Sequence, residues 1–483
     1  MADANSVSPG LATLGAGSWT VTEPSAGGRF GSVGVLTPQQ ILATQALVSG
    51  YWNVPAPAWK AATSTVVAAG SPAKGICVRG FSELSGLTTT AQDANITVTP
   101  TIDTAAPFGG TALKLAIVNT AGAARYVQVQ SGNADINIPN FKGAKRRFAA
   151  RVATDDNTKI SQVELYYGIS GLGRFVRSRR FPGDASGALA YTYYFHGGPN
   201  AISDTLLDND AVTQYRFTVY VPASETVNVW IDGLYLPDRT PGFVAWTFDD
   251  QAVSLATFAS LLSARGMHGT FGINQSGITS GALTPLPAYG GTALKWEDLA
   301  VMAAAGHELG SHNVNNTSIT TAGLATYMAE YRTMKWDMYQ RGLLTAPFYH
   351  PCVRGVTTLV GSDALLAEGA RVQRLVTADN CEPMFREQFL TCVPVRNLDT
   401  AYQLGNATTA GKMLSFLQDA IDYGTDIVFM GHLLDASSYG AATWPVADFI
   451  ALADAVKAAV VAGQLGGAGS VSEWARYRGW RVA

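Results

Sequence analysis

The stretch Phe243-Val-Ala-Trp-Thr-Phe-Asp-Asp250 decides how this chain is read. Its first six residues are mostly aromatic or β-branched and read as a buried strand, and the run breaks directly into two adjacent carboxylates. Successive side chains of a strand point to opposite faces, so the two carboxylates aim in different directions. One is placed to bind a metal while the other stays free as a base. The plainer reading makes them the N-cap of a helix expected over Ser254–Arg265.

Downstream of Pro241, strand-like runs alternate with amphipathic helices. The strands are expected at Gly269–Ile273, Pro347–Tyr349, Val372–Thr377, Leu390–Val395 and Ile427–Met430. Further helices are expected at Trp296–Ala305, Ala322–Arg341, Ser362–Glu368, Lys412–Tyr423 and Pro445–Ala462, most with apolar residues at three-to-four spacing. Strand–helix alternation favours a parallel (β/α) barrel over residues 241–483. Histidines 268, 307, 312, 350 and 432 all lie in this part, three of them at or just beyond strand ends, where a parallel barrel keeps its active site.

Upstream, residues 76–240 follow a different grammar: short period-two runs rich in Val, Ile, Tyr, Phe and Thr, bounded by Gly, Asn and Asp. Asn95–Thr99, Leu113–Val118, Tyr126–Gln130, Gln162–Tyr167, Tyr191–Phe195, Arg216–Val221 and Val227–Leu236 read as strands of an all-β, jelly-roll-like sandwich. Residues 1–75, dominated by Gly, Ala, Ser, Thr and Pro, read as an attachment segment and linker. A multidomain chain suits the length of 483 residues, since domains average about 150.

The charge balance excludes one class of partner. A net charge of −3 cannot supply the positive field that nucleic acid requires. No run approaches the roughly 18 apolar residues of a membrane span, so membrane insertion is not expected. The first ten residues lack the basic and apolar regions of a secretory signal. Cys77, Cys352, Cys381 and Cys392 are too scattered for a disulfide scaffold and read as free thiols, with one bridge open among the last three.

Thr247-Phe-Asp-Asp250, Ala264-Arg-Gly-Met-His-Gly-Thr-Phe271, Trp296-Glu-Asp-Leu299 and Ala305-Gly-His-Glu-Leu-Gly-Ser-His312 together resemble the polysaccharide deacetylases of carbohydrate esterase family four. Ile427-Val-Phe-Met-Gly-His432 and Val471-Ser-Glu-Trp474 are similar to the family's last strand and closing segment. The resemblance covers the C-terminal half. It implies a distorted barrel that holds a divalent metal, usually zinc, through one aspartate and two histidines, and removes acetyl groups from N-acetylated sugars. Carried over, it implies Asp249 as general base, Asp250 and His312 as metal ligands, and His432 as general acid.

Three departures accompany it. His312-Asn-Val-Asn-Asn316 has Asn316 where the family has its second histidine, so Asn316 becomes the expected third ligand. Phe348-Tyr-His-Pro-Cys352 puts His350 where the family has an arginine that holds the base, placing it to hydrogen-bond Asp249 or to ligate metal. The aspartate that orients the acid histidine is matched only by Asp379, in Thr377-Ala-Asp-Asn380.

His268 and His307 read as structural. Trp246 and Trp444 read as core or as sugar-stacking residues. Lys145-Arg-Arg147 and Arg177-Ser-Arg-Arg180 read as solvated faces, or as an acidic-polysaccharide contact with nearby Tyr166, Tyr193, Tyr194 and Trp230. The expected function is removal of acetyl groups from a bacterial surface polysaccharide. The rivals are a non-catalytic glycan-binding protein on a degenerate barrel and an O-acetyl esterase on the same scaffold. A glycan-directed chain without a visible signal peptide, with low charge and such a front end, looks like a bacteriophage tail-spike or tail-fibre component. That implies extracellular action on a virion and a homotrimer.

Overall fold

The computed structural model describes residues 19–21, 34–36, 75–107, 110–156, 159–180, 190–195, 201–280, 293–315, 317–320, 323–353, 359–378, 393–398, 409–435 and 443–478. Most of the expected attachment segment lies outside this set; within it, Trp19–Val21 and Gly34–Leu36 pair antiparallel.

Two antiparallel sheets make the β-sandwich. One has six strands in the order Ala201–Asp204, Phe175–Arg180, Gln162–Gly168, Gln214–Val221, Arg125–Ser131 and Leu87–Ala91. The other runs Gly75–Gly80, Gly233–Pro237, Phe148–Thr154, Thr226–Ile231, Gly110–Asn119 and Ile96–Ala106, with Ala190–Phe195 on Phe148–Thr154. Period-two alternation sends Val163, Leu165, Phe217 and Val219 from the first sheet against Leu113, Leu115, Val152 and Val229 from the second. The expected Val227–Leu236 strand breaks in two at Asp232. Phe148–Thr154 escaped the sequence reading because three of its seven residues are alanine, which has little β-propensity.

In the barrel, parallel strands lie in the order Glu308–Ser311, Thr270–Ile273, Gly242–Asp250, Ile427–Gly431, Val393–Asn397, Val372–Ala378 and Tyr349–Pro351. The two outermost strands do not form a ladder with each other. They are joined where Leu309 takes a bond from the Ala346 amide (2.9 Å) and gives one to Thr345 Oγ1 (2.7 Å), so the barrel is distorted. An eighth strand, Leu465–Gly469, pairs with the start of Gly242–Asp250. Its composition hid it, but a side chain at Gly469 would overlap Glu473 of the closing helix Val471–Tyr477.

Strand Gly242–Asp250 is buried on both faces. Phe243 and Ala245 join Tyr349, Val372, Val428, Met430 and Trp474 in one cluster. Val244, Trp246 and Phe248 pack on Leu255, Phe258 and Phe449 of the surrounding helices. Trp246 stacks on Phe429 at 5.1 Å and Trp444 is 1% exposed, so both serve the core and neither meets a sugar. The closing helix is tied down by Asp426, which accepts bonds from Trp474 Nε1 (2.7 Å), Arg478 Nε (2.9 Å) and the Phe243 amide (2.8 Å).

The cluster Lys145–Arg147 is not simply a solvated face. Arg147 is buried and donates to the Tyr423 carbonyl at the end of helix Ala410–Tyr423, and Lys145 pairs with Asp422 at 3.2 Å. Positive charge at a helix C-terminus complements the helix dipole, so these residues fasten the sandwich to the barrel.

Candidate active site

The C-terminal ends of the barrel strands collect the polar residues. Asp249 pairs in register with Gly272, and Asp250 with Ile273. Neither carboxylate caps the following helix, whose N-cap is Val253 with no side-chain cap bond. Asp249 is 3% exposed, and its Oδ2 accepts a bond from Arg374 Nη2. Arg374 is fully buried, and its Nε donates to Tyr349 Oη at 3.0 Å. Asp249 Oδ1 is buried with no hydrogen-bond partner among the described residues. Burial alone would raise the Asp249 pKa, but the charge of Arg374, with smaller contributions from His312 and His432, holds it below the ordinary carboxylate value.

Asp250 has φ +79°, a left-handed conformation that turns the chain as it leaves the strand. Its Oδ1 lies 3.7 Å from His312 Nε2. His312 Nδ1 is 2.9 Å from the Pro351 carbonyl, which can only accept. The proton is therefore assigned to Nδ1, and Nε2 turns its lone pair toward Asp250. Donors each about 2.1 Å from a tetrahedral zinc stand about 3.4 Å apart, so this pair fits a divalent cation. Among the described residues no group of three His, Cys, Asp or Glu side chains could hold a metal. Asn316, the expected third ligand, lies outside the described residues, as does Asp379.

His432 follows strand Ile427–Gly431 directly and is 8% exposed, near enough to Asp249 for its charge to favour the carboxylate. His350 corrects the sequence reading. Its Nδ1 donates to the Ser311 carbonyl (2.8 Å) and its Nε2 accepts from Tyr327 Oη (2.7 Å), so both nitrogens are engaged. It neither bonds Asp249 nor offers a lone pair to a metal. Burial lowers its pKa to about 3, and the neutral ring braces the strand that delivers His312.

The guanidinium that holds Asp249 belongs to Arg374, one barrel strand after the block around His350. Its signal in the sequence was an arginine inside the apolar run Val372–Thr377, in a strand expected to be buried. Gly272 lies against this cluster. A Cβ there would overlap Pro351 Cγ and stand 3.2 Å from Asp249 Oδ1.

His307 and His268 lie away from this cluster, and His196 lies outside the described residues. His307 precedes its strand, accepts the Gly269 amide at Nδ1 (3.0 Å) and meets Ser263 Oγ at Nε2 (2.9 Å). Burial lowers its pKa to about 3. His268 pairs with Glu473 at 3.0 Å. Both serve the fold, as their sequence context suggested. Cys352 is buried and Cys77 exposed; Cys381 and Cys392 lie outside the described residues.

No family model matches the sequence, and no curated protein matches it. Among solved structures, the chain is similar to a family 4 carbohydrate esterase from Streptomyces lividans, with 16% identity over 48% of this chain and 94% of that one, at a TM-score of 0.31. It is similar to the peptidoglycan deacetylase PdaC from Bacillus subtilis, with 14% identity over 50% of this chain and 94% of that one, at 0.30. A carbohydrate-binding module of the β-sandwich superfamily is similar at 12% identity over 34% of this chain, with a TM-score of 0.27, and this chain spans 62% of its length.

Proposed function

We propose that the barrel is a metal-dependent hydrolase that removes acetyl groups from a bacterial surface polysaccharide, acting outside the cell. The observation that carries this reading is a cluster at the strand ends of a carboxylate with a bare oxygen, a carboxylate–imidazole donor pair and a further imidazole: Asp249 Oδ1, Asp250 with His312, and His432.

Asp250 Oδ1 and His312 Nε2 would hold the cation, zinc in this reading. When bound, it supplies a Lewis acid that polarises the acyl carbonyl and acidifies water. Asp249 Oδ1 takes the proton of the attacking water, because Oδ2 is already committed to Arg374. Arg374 keeps Asp249 ionised and fixes its rotamer through a second anchor on Tyr349. His432 gives a proton to the departing nitrogen or oxygen. The Pro351 carbonyl holds His312 in the tautomer that leaves Nε2 available.

Acetate release from N- and O-acetylated bacterial polysaccharides, assayed side by side before and after chelation and zinc return, tests the reading. Chelator-sensitive release supports it, and the preferred substrate separates amide from ester hydrolysis. No release from either class by zinc-loaded protein favours the non-catalytic alternative.

A further inference from the structure

We infer that the outer face of the six-stranded sheet binds an acidic polysaccharide, through a guanidinium surface centred on Arg216. Alternation along Gln162–Gly168 sends Val163, Leu165 and Tyr167 into the core and leaves Glu164 and Tyr166 on the outer face. Register then sets Arg179 and Thr218 beside Glu164, and Arg177 and Arg216 beside Tyr166.

Glu164 is 0% exposed although it lies on the outer face, because its neighbours close over it. Arg177 donates to both of its oxygens (3.1 and 2.8 Å) and Arg179 to one (3.0 Å). Tyr166 and Tyr220 hydroxyls each approach it at 3.3 Å. Its acceptor capacity is spent on these groups. Arg216 is left over: it has no ion-pair partner among the described residues, and its Nε is buried without a hydrogen-bond partner. Its guanidinium lies 4.1 Å over the Tyr166 ring, a cation–π contact that orients it without neutralising it.

Arg177 alone already balances the Glu164 carboxylate, so Arg216, over Tyr166, adds a positive charge to this sheet face in a chain whose net charge is −3. Guanidiniums pair carboxylates in a planar, two-point fashion, which selects a carboxylate-bearing ligand. Arg177 and Arg216 both lie over the Tyr166 ring, so that ring presents charge and not a bare stacking surface for a neutral sugar. Further along Gln214–Val221, Tyr220 stands ring to ring with Tyr126 of the adjacent strand Arg125–Ser131 at 5.3 Å. From Arg216 to Tyr220 is roughly 13 Å along the strand, a span that suits a chain of sugar rings and exceeds a single ion. The inference rests on the glycan-directed reading of the protein and does not require the barrel to be catalytic.

The full-length protein is titrated calorimetrically with three acidic polymers, polygalacturonate, alginate and hyaluronan, and with two neutral ones, methyl-esterified polygalacturonate and dextran. The expected result is binding of at least one acidic polymer, weakened by raising salt from 50 to 300 mM, and weakened about tenfold or more by Arg216→Gln. Arg216→Lys should retain part of the salt-dependent binding. Thermal melting of both variants reports folding, and a variant that melts like the parent yet binds as tightly overturns the proposal. So does binding of neutral polymers as tight as that of acidic ones, or no binding of any acidic polymer. Acetate release by the unmodified protein is measured in parallel. Its absence with acidic-polymer binding intact counts against the hydrolase alone, and its presence without such binding counts against this proposal alone.

Discussion

Arg374 and Asp249, 125 residues apart in the chain, form a buried ion pair in which the guanidinium takes one carboxylate oxygen and leaves the other bare. The pair separates two tasks within one side chain. Oδ2 anchors the group and Oδ1 remains to accept a proton.

Removing the anchor should expose both tasks. Arg374→Met leaves a buried carboxylate without its counter-charge, so the Asp249 pKa should rise. The acid limb of kcat/KM, expected below the ordinary carboxylate value of about 3.9 in the parent protein, should move upward. Stability should fall by about 3–5 kcal/mol, as when a buried pair loses one partner. A pH–rate profile with chemical denaturation measures both, and an unmoved acid limb would remove Arg374 from the control of Asp249.

The adjacent aspartates should fail differently. Asp249→Asn is expected to cut turnover by at least about a hundredfold while bound zinc persists, whereas Asp250→Asn should lose zinc and turnover together. Metal content and acetate release are read on the same samples. Equal metal loss in the two variants would overturn the assignment.

His432→Ala should lower turnover by about a hundredfold or more with metal content unchanged, as for a lost general acid. Undiminished acetate release would take His432 out of the mechanism.

Gly272→Ala tests the space beside Asp249. The added methyl must displace Pro351, whose carbonyl holds His312, and it crowds Oδ1 of Asp249. We expect a loss of about 1–3 kcal/mol by denaturation, as for overpacked cores, with a larger fall in kcat than in melting temperature alone would explain. Unchanged stability and turnover would show that the strand ends are not closely packed.

Stability should decline in mild acid. His307 and His350 have folded pKa values of about 3 against about 6.5 for an ordinary histidine, so the unfolded chain binds more protons between those values. Their stabilising contribution is therefore complete above pH 6.5 and is lost as pH falls toward 3. Between pH 7 and pH 5 each should cost about 2 kcal/mol, and His307→Gln should flatten the dependence measured by denaturant titration. A parent protein equally stable at both pH values would contradict neutral burial.

The strand ending in Asp249-Asp250, the change of period near Pro241 and the histidines at strand ends were legible along the chain, because alternation and strand–helix order are local properties. The same holds for His268 and His307, whose positions before strands keep them from the site end. Three features were not legible. The counter-charge of Asp249 came from Arg374, not from the block around position 350, because partners across a barrel are set by strand order and stagger and not by spacing in sequence. His350 became a brace because Ser311 and Tyr327 reach its two nitrogens from different elements. Lys145–Arg147 read as a charged surface until the helix ending at Tyr423 was packed against it. In each case the residue's type was visible from the start, and its role followed from which partner the folded chain set within hydrogen-bond reach, since an unpaired polar or charged group in that interior costs a few kcal/mol.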